Sequence, residues 1–297
     1  MVSGRPSTAP GVPDVADSVQ TLAVLLQAGA APIVAWRHLA GSGGRHALAI
    51  VERVEDGTGL VAAIGAEGGS WVELAAAWEV ATVVGAPLAE VLRTIAESLR
   101  DAAAAIDDVR IALAEPAGTA RLLLWMPLAG LLLGFALGFD TLGVLVGNPL
   151  GTACVIVGLL LVGAARLWTS RLLRRAQPSP GTPGIAAELV AVALTGGAPI
   201  ERAVRLVAET AVAEPAGEAR VRQVLDLSRE AGVPAVELLR ASATQDRHRA
   251  RVRGRLAAAA LSTRLLIPLG VCTLPAFLLL AVAPLLLSVL ATTPLPV

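Results

Sequence analysis

From Leu88 onward, apolar residues recur at spacings of three and four. Leu88, Val91, Leu92, Ile95, Leu99, Ala102, Ile106 and Leu113 share one face of a 3.6-residue period. Glu90, Arg93, Glu97 and Arg100 occupy the opposite face at spacings that allow ion pairs. The same rhythm runs through residues 14–121 and 185–264, with Gly and Pro at the corners and no convincing period-two run. The pattern predicts an all-α protein in which each of these two segments folds as a small antiparallel helical bundle.

Three runs break the amphipathic rhythm because they have no polar face. Residues 122–139 carry no charge, residues 150–168 carry only Arg166 near their end, and residues 265–290 again carry none. At about 1.5 Å per residue each is long enough for a hydrocarbon core of about 30 Å, so three transmembrane helices are expected. Residues 140–149 form a short turn between the first two, and 169–184, with the PSPGTPG stretch, a linker into the second bundle. Prolines 127, 268, 275 and 284 are compatible with membrane helices, where neighbouring groups re-satisfy the freed backbone. Arg121 precedes the first run. Arg166, Arg171, Arg174 and Arg175 end or follow the second, and Arg247 to Arg264 precede the third. Positive-inside logic then places both polar segments in the cytoplasm, with the turn and residues 291–297 outside. Residues 1–13, rich in Pro, Gly and Ser, are expected to be disordered. The Leu22–Trp36 stretch is interrupted by Gln27, Gly29 and Pro32, so it is expected to be folded structure and not a secretory signal.

The chain also repeats itself. GAPLAEVLR at 85–93 returns as GVPAVELLR at 232–240, an offset of 147. LLQAGAAPIVAWRHLA at 25–40 is matched by ALTGGAPIERAVRLVA at 193–208, an offset of 168. Gly29, Gly85, Pro87, Gly197, Gly232 and Pro234 are the structural corners of this repeat. The fall in offset implies about 21 extra residues in the first copy, within 41–80. If both copies point the same way, the run at 150–168 is the return helix between them.

Composition narrows the chemistry. Of 297 residues, 55% are hydrophobic and 16% charged, with no net charge, which fits a membrane protein and gives no general pull toward nucleic acid. The chain has no Lys, which excludes a P-loop nucleotide site and Schiff-base catalysis. Cys154 and Cys272 lie in apolar runs and are read as small hydrophobes. His38, His46 and His248 have no carboxylate at a metal-site spacing, so no metal site is expected. Ser70 with Glu73 reads as a capping box. The Asp107–Asp108 pair projects about 100° apart on a helix and reads as solvated charge, not as a protease dyad. No catalytic residue, cofactor-binding residue or cofactor is expected. In DRHRARVRGR (246–255), Arg247, Arg249, Arg251, Arg253 and Arg255 spread over several helix faces. They are read first as contacts to anionic lipid headgroups, worth about 1 kcal/mol each, and second as a dock for an acidic partner.

The order of Gly29, Ala35, Gly85, Pro87, Gly197, Ala203, Gly232, Pro234, Pro268 and Pro275, in duplicated helical domains with three spans, resembles the type II secretion system F-domain proteins. The ending STRLLIPLGVCTLPAFLLLAVAPLLLSVL (262–290) is similar to the TadB/TadC branch that serves Tad pili. The resemblance implies a non-enzymatic platform in the inner membrane that couples a cytosolic hexameric secretion ATPase to pilin subunits. A paralogous second platform subunit is a further implied partner. A small transporter or channel subunit, a membrane peptidase and a scaffold unrelated to secretion are the competing readings. The absence of ionisable groups inside the apolar runs opposes the transporter, and the absence of a carboxylate pair opposes the peptidase.

Overall fold

A computed structural model describes residues 12–136, 149–176 and 181–283. Among these residues all regular structure is helical. In chain order the helices are α1 (Val12–Gln27), α2 (Pro32–Gly41), α3 (Arg45–Glu55), α4 (Leu60–Gly65), α5 (Ser70–Val84), α6 (Leu88–Ala136), α7 (Pro149–Ala176), α8 (Ile185–Thr195), α9 (Ile200–Ala208), α10 (Pro215–Ala231) and α11 (Ala235–Pro268). Two π-helical turns, Leu269–Thr273 and Leu278–Val282, flank a short helix α12 (Leu274–Phe277). The described residues fall into two compact units, one from 12–106 and 181–252, the other from 107–176 and 253–283.

In the first unit the two segments expected as separate bundles share one core. Val15, Leu22, Trp36, Leu74, Leu92 and Leu99 from the first segment join Leu189, Val190, Val221 and Leu239 from the second. The reason lies in α5 and α8, SWVELAAAWEVATVV and IAAELVAVALT, which are apolar nearly all round and so need cover on every side. Burying such helices against each other removes more apolar surface than either segment could alone, at about 25 cal/mol per Å². Trp36 of α2 sits 5.9 Å from Trp71 and 6.1 Å from Trp78 of α5, tilted at about 45°, at centroid distances within the range of interacting aromatic pairs.

α3 and α4 stand between α2 and α5, whereas α9 is followed by α10 after a short connection. Glu67, in the turn after α4, takes hydrogen bonds from Arg53 at 2.5 Å and pairs with His46 Nδ1, tying the insertion together.

The corners match in detail. Gly29 and Gly197 have φ of +90° and +87°. The three amides from Ala28 to Ala30 donate to the carbonyls of Val24, Leu26 and Leu25 in turn. Those from Gly196 to Ala198 donate to Val192, Leu194 and Ala193, each 168 positions on. Gly85 and Gly232 close α5 and α10 in the left-handed region, at φ +71° and +65°, where a side chain would be strained. The Pro87 carbonyl accepts from Val91 and the Pro234 carbonyl from Leu238, again 147 apart.

One local expectation is corrected. Ser70 does not cap α5. The capping residue is Gly69, with no side-chain cap bond, and Glu73 turns inward, to 5% exposure. α6, which opens after Pro87, continues through Pro116 to Ala136 over 49 residues. Proline removes one backbone donor and leaves the rest of the ladder intact, a loss that long apolar helices accommodate.

In the second unit one described stretch, Thr152–Leu172, is long and apolar enough to cross a membrane, with 21 residues at mean hydropathy 1.8. The runs expected at 122–139 and 265–290 extend beyond the described residues at 137–139 and 284–290. α7 packs antiparallel to the α11–α12 region. Leu172 lies against Leu261 and Leu265, and a Cβ on Gly158 would meet Leu280 Cγ at 2.5 Å. The π turns fall around Pro268 and Pro275, where the regular ladder lacks donors.

Candidate functional site

The arginines of α11 and the acids that meet them are the most strongly charged feature of the described chain. Arg247 is only 14% exposed in its side chain and stands between two carboxylates. Its Nε is 3.4 Å from Asp101 Oδ2 on α6, and its Nη1 is 3.5 Å from Glu188 Oε2 on α8. These contacts are long for hydrogen bonds, and the Arg247 Nε has none, so charge attraction in a poorly solvated site dominates. Arg251 also serves Asp101, donating to its backbone carbonyl at 3.3 Å. Three helices, α6, α8 and α11, are therefore joined by one acidic and basic cluster. Within the second unit Arg255 donates to Asp108 at 2.8 Å. Arg249 is 3.7 Å from Asp246 on its own helix and half exposed, and Arg253 lies exposed on the following turn.

Glu188 has a side chain only 4% exposed. Burial pushes its carboxyl above the ordinary value of 4.5, the charges of Arg247 and Arg240 act against this, and Glu97 adds to it. Glu73, the one acid on the inward side of α5, meets the start of the second segment. It accepts 2.6 Å and 2.5 Å hydrogen bonds from the backbone N–H and the hydroxyl of Thr182. Burial likewise raises its carboxyl, and the two hydrogen bonds only partly offset that. Glu67 goes the other way. Burial raises it, but His46 and Arg53 together outweigh burial and hold it below 4.5.

Of the residues singled out from sequence, Gly29, Gly85, Pro87, Gly197, Gly232 and Pro234 sit at helix corners. The five arginines line α11, and the structure brings Arg247, Arg251 and Arg255 onto acids of α6. Sequence reading passed over Glu73, Glu188 and Glu67 as sites, and Asp108 looked solvated. A lone Glu inside an otherwise apolar helix was the available signal for the first two, because such a group must find a partner. Asp108 had a signal as well: it stands 147 residues before Arg255, the offset of the repeat. The charged ladder of α6 also pairs across elements. Arg93 bonds Gln27 and Arg100 lies 3.5 Å from Asp17, both on α1.

The cluster contains no hydroxyl or thiol nucleophile set against a base. Its chemistry is that of a charged fastening between helices which continue into apolar runs. Residues 18–136, covering α1 to α6, match the family model described as Type II secretion system (T2SS), protein F. No curated protein matches the chain.

Proposed function

We propose that this chain is an inner-membrane platform protein of a type II secretion or Tad-like pilus machine, coupling a cytosolic secretion ATPase to the assembly or export of pilin subunits. The match of α1 to α6 to the protein F family carries this reading. The protein acts without catalysis of its own. Its fold is a duplication, supported by matching hydrogen bonds at corners 168 and 147 residues apart. Residues 14–121 and 185–264 are the two cytosolic copies. The runs at 122–139, 150–168 and 265–290 are three spans, the last leading to the extracytoplasmic side.

The transmission route is the pair of helices α6 and α11. Each begins among core residues of the first unit and continues unbroken into an apolar run. A displacement of the core by the ATPase is thereby passed to the membrane part as movement of stiff helices. Arg247 and Arg251 fasten α11 to α6 so that both move together. Arg249, Arg253 and Arg255, exposed on the same helix, contact anionic headgroups, each worth about 1 kcal/mol near the surface. A paralogous platform subunit completes the assembly.

The test is removal of the chain from a cell that makes the filament. The proposal expects pilin to accumulate in the membrane with ATPase levels unchanged, and filaments to return with the intact chain. Normal filaments without the chain would overturn it.

A further inference from the structure

The first unit shows how one copy of the repeat receives the next. α5 runs parallel to α8, from the Glu73–Thr182 hydrogen bonds at one end to Val84 beside Gly196 at the other. Thr182, in the turn before α8, and Gly196, just after it, both meet α5, so the helical period puts Ile185, Leu189 and Val192 on the face between them. Leu189 is fully buried, and Thr182 and Val192 are each 5% exposed. At the offset of 168 this face corresponds to Asp14, Asp17, Thr21 and Val24 of α1, all exposed, Val24 by 53%. The face of α5 that receives α8 includes Glu73, Ala76, Ala77 and Val80, all buried. At the offset of 147 its counterparts are Arg220, Gln223, Val224 and Leu227, which line an open groove between α10 and α11. Leu227 is 52% exposed. One interface is made inside the chain, and both of its halves are present again, unmade, at opposite ends of the series α1, α5, α8, α10.

We propose that a second copy of this chain lays the Asp14, Asp17, Thr21 and Val24 face of its α1 on the groove between α10 and α11. Three features fit the two faces together. The position of Glu73 is taken by Arg220, which stands 3.7 Å from Asp246 of its own chain, and that of Thr182 by Asp14, so the hydrogen-bonded pair is replaced by two groups of opposite charge. The two exposed apolar side chains, Val24 and Leu227, stand near the same level of the contact. α1 carries Asp14 and Asp17 and no basic residue, while the groove lining carries four arginines, Arg220, Arg222, Arg240 and Arg249, against three acids, Asp226, Glu230 and Glu237. Such a contact is heterologous: it uses different faces on the two copies and generates a ring or an open series, not a two-fold dimer. The inference rests on the internal duplication and not on the secretion reading.

The test uses full-length chain in its membrane, with Cys154 and Cys272 replaced by Ala. Asp14→Cys and Arg220→Cys are placed on separate, differently tagged chains and treated with a short bis-maleimide. The proposal expects cross-linked dimers holding one of each tag, and none when either variant is present alone. Adding Leu227→Asp to the Arg220→Cys chain should reduce the yield several-fold. A Glu73→Cys, Thr182→Cys chain, linked to itself, reports the contact within one molecule. If that link forms but the mixed dimer does not, the intermolecular contact is overturned while the duplication stands. If neither forms, the duplicated packing itself fails and the proposal with it. Equal dimers from Asp14→Cys alone would replace it with a two-fold contact.

Discussion

Asp108 and Arg255 lie 147 positions apart in the chain and 2.8 Å apart in the structure. The separation equals the offset between GAPLAEVLR and GVPAVELLR, so two positions in the same register of the sequence match meet with opposite charge. The arginine side chain is 59% exposed and the aspartate 30%, which keeps the pair in the range of about 0–1 kcal/mol. Arg255→Ala is therefore expected to lower the melting temperature only slightly. Arg255→Asp, which sets two acids together, should cost more, and Asp108→Arg in the same chain should recover most of the loss.

Arg247 and Glu188 behave differently because both are enclosed, at 14% and 4% side-chain exposure. Removing the cation leaves a buried carboxylate with only the charge of Arg240 set against its burial, a loss of about 3–5 kcal/mol. Arg247→Ala should destabilise the first unit by that order, read by tryptophan fluorescence from the Trp36, Trp71 and Trp78 cluster. Replacing both residues together, as Arg247→Met with Glu188→Leu, should cost much less, since no charge is then stranded.

The buried glutamates give a pH dependence of defined sign. Glu73 and Glu188 have carboxyls raised above 4.5, so the folded chain holds their protons more tightly than the unfolded chain. Their contribution to stability is greatest below 4.5 and is lost as pH rises through their folded values. Glu67 is lowered, so its contribution is present above 4.5 and is lost as pH falls through its folded value. Glu73→Gln retains a carbonyl acceptor for Thr182 and removes the titration. It should raise stability at neutral pH and flatten the decline above 4.5, measured by unfolding across pH 4 to 8 (roughly the range where such groups titrate).

Gly184 tests the entry to α8. It has φ +83°, and a Cβ there would lie 2.7 Å from Ala243 Cα and 2.8 Å from its carbonyl oxygen. Backbone cannot yield as a side-chain tip can, so Gly184→Ala combines strain with overpacking, about 1–3 kcal/mol from each. Gly57→Ala, with φ +93° and open space around it, carries the strain alone and should be the milder change in the same unfolding assay.

Much of this organisation was legible in the pattern of residues. The face Val91, Leu92, Ile95 and Leu99 is buried as its spacing predicted, because a helix with one apolar stripe has one way to hide it. Ile106 of the same stripe is 39% exposed, since periodicity reports a face and not what covers it. The Gly corners were legible because positive φ excludes most other residues. The joint core was not. Its cause is the all-round apolar character of α5 and α8, which says that cover is needed without saying from where. The Ser70 cap failed because Glu73 had a better partner 109 residues away in Thr182, invisible to any local motif. The pairing of Arg247, Arg251 and Arg255 was hidden because the acids that meet them lie on other helices.

The central claim, that this chain joins a secretion ATPase to pilin, is tested most directly by purifying a tagged full-length copy in mild detergent and identifying its companions by mass spectrometry. The account predicts a hexameric secretion ATPase or a small single-span pilin in the intact complex. Complexes that survive extraction yet contain neither would contradict it.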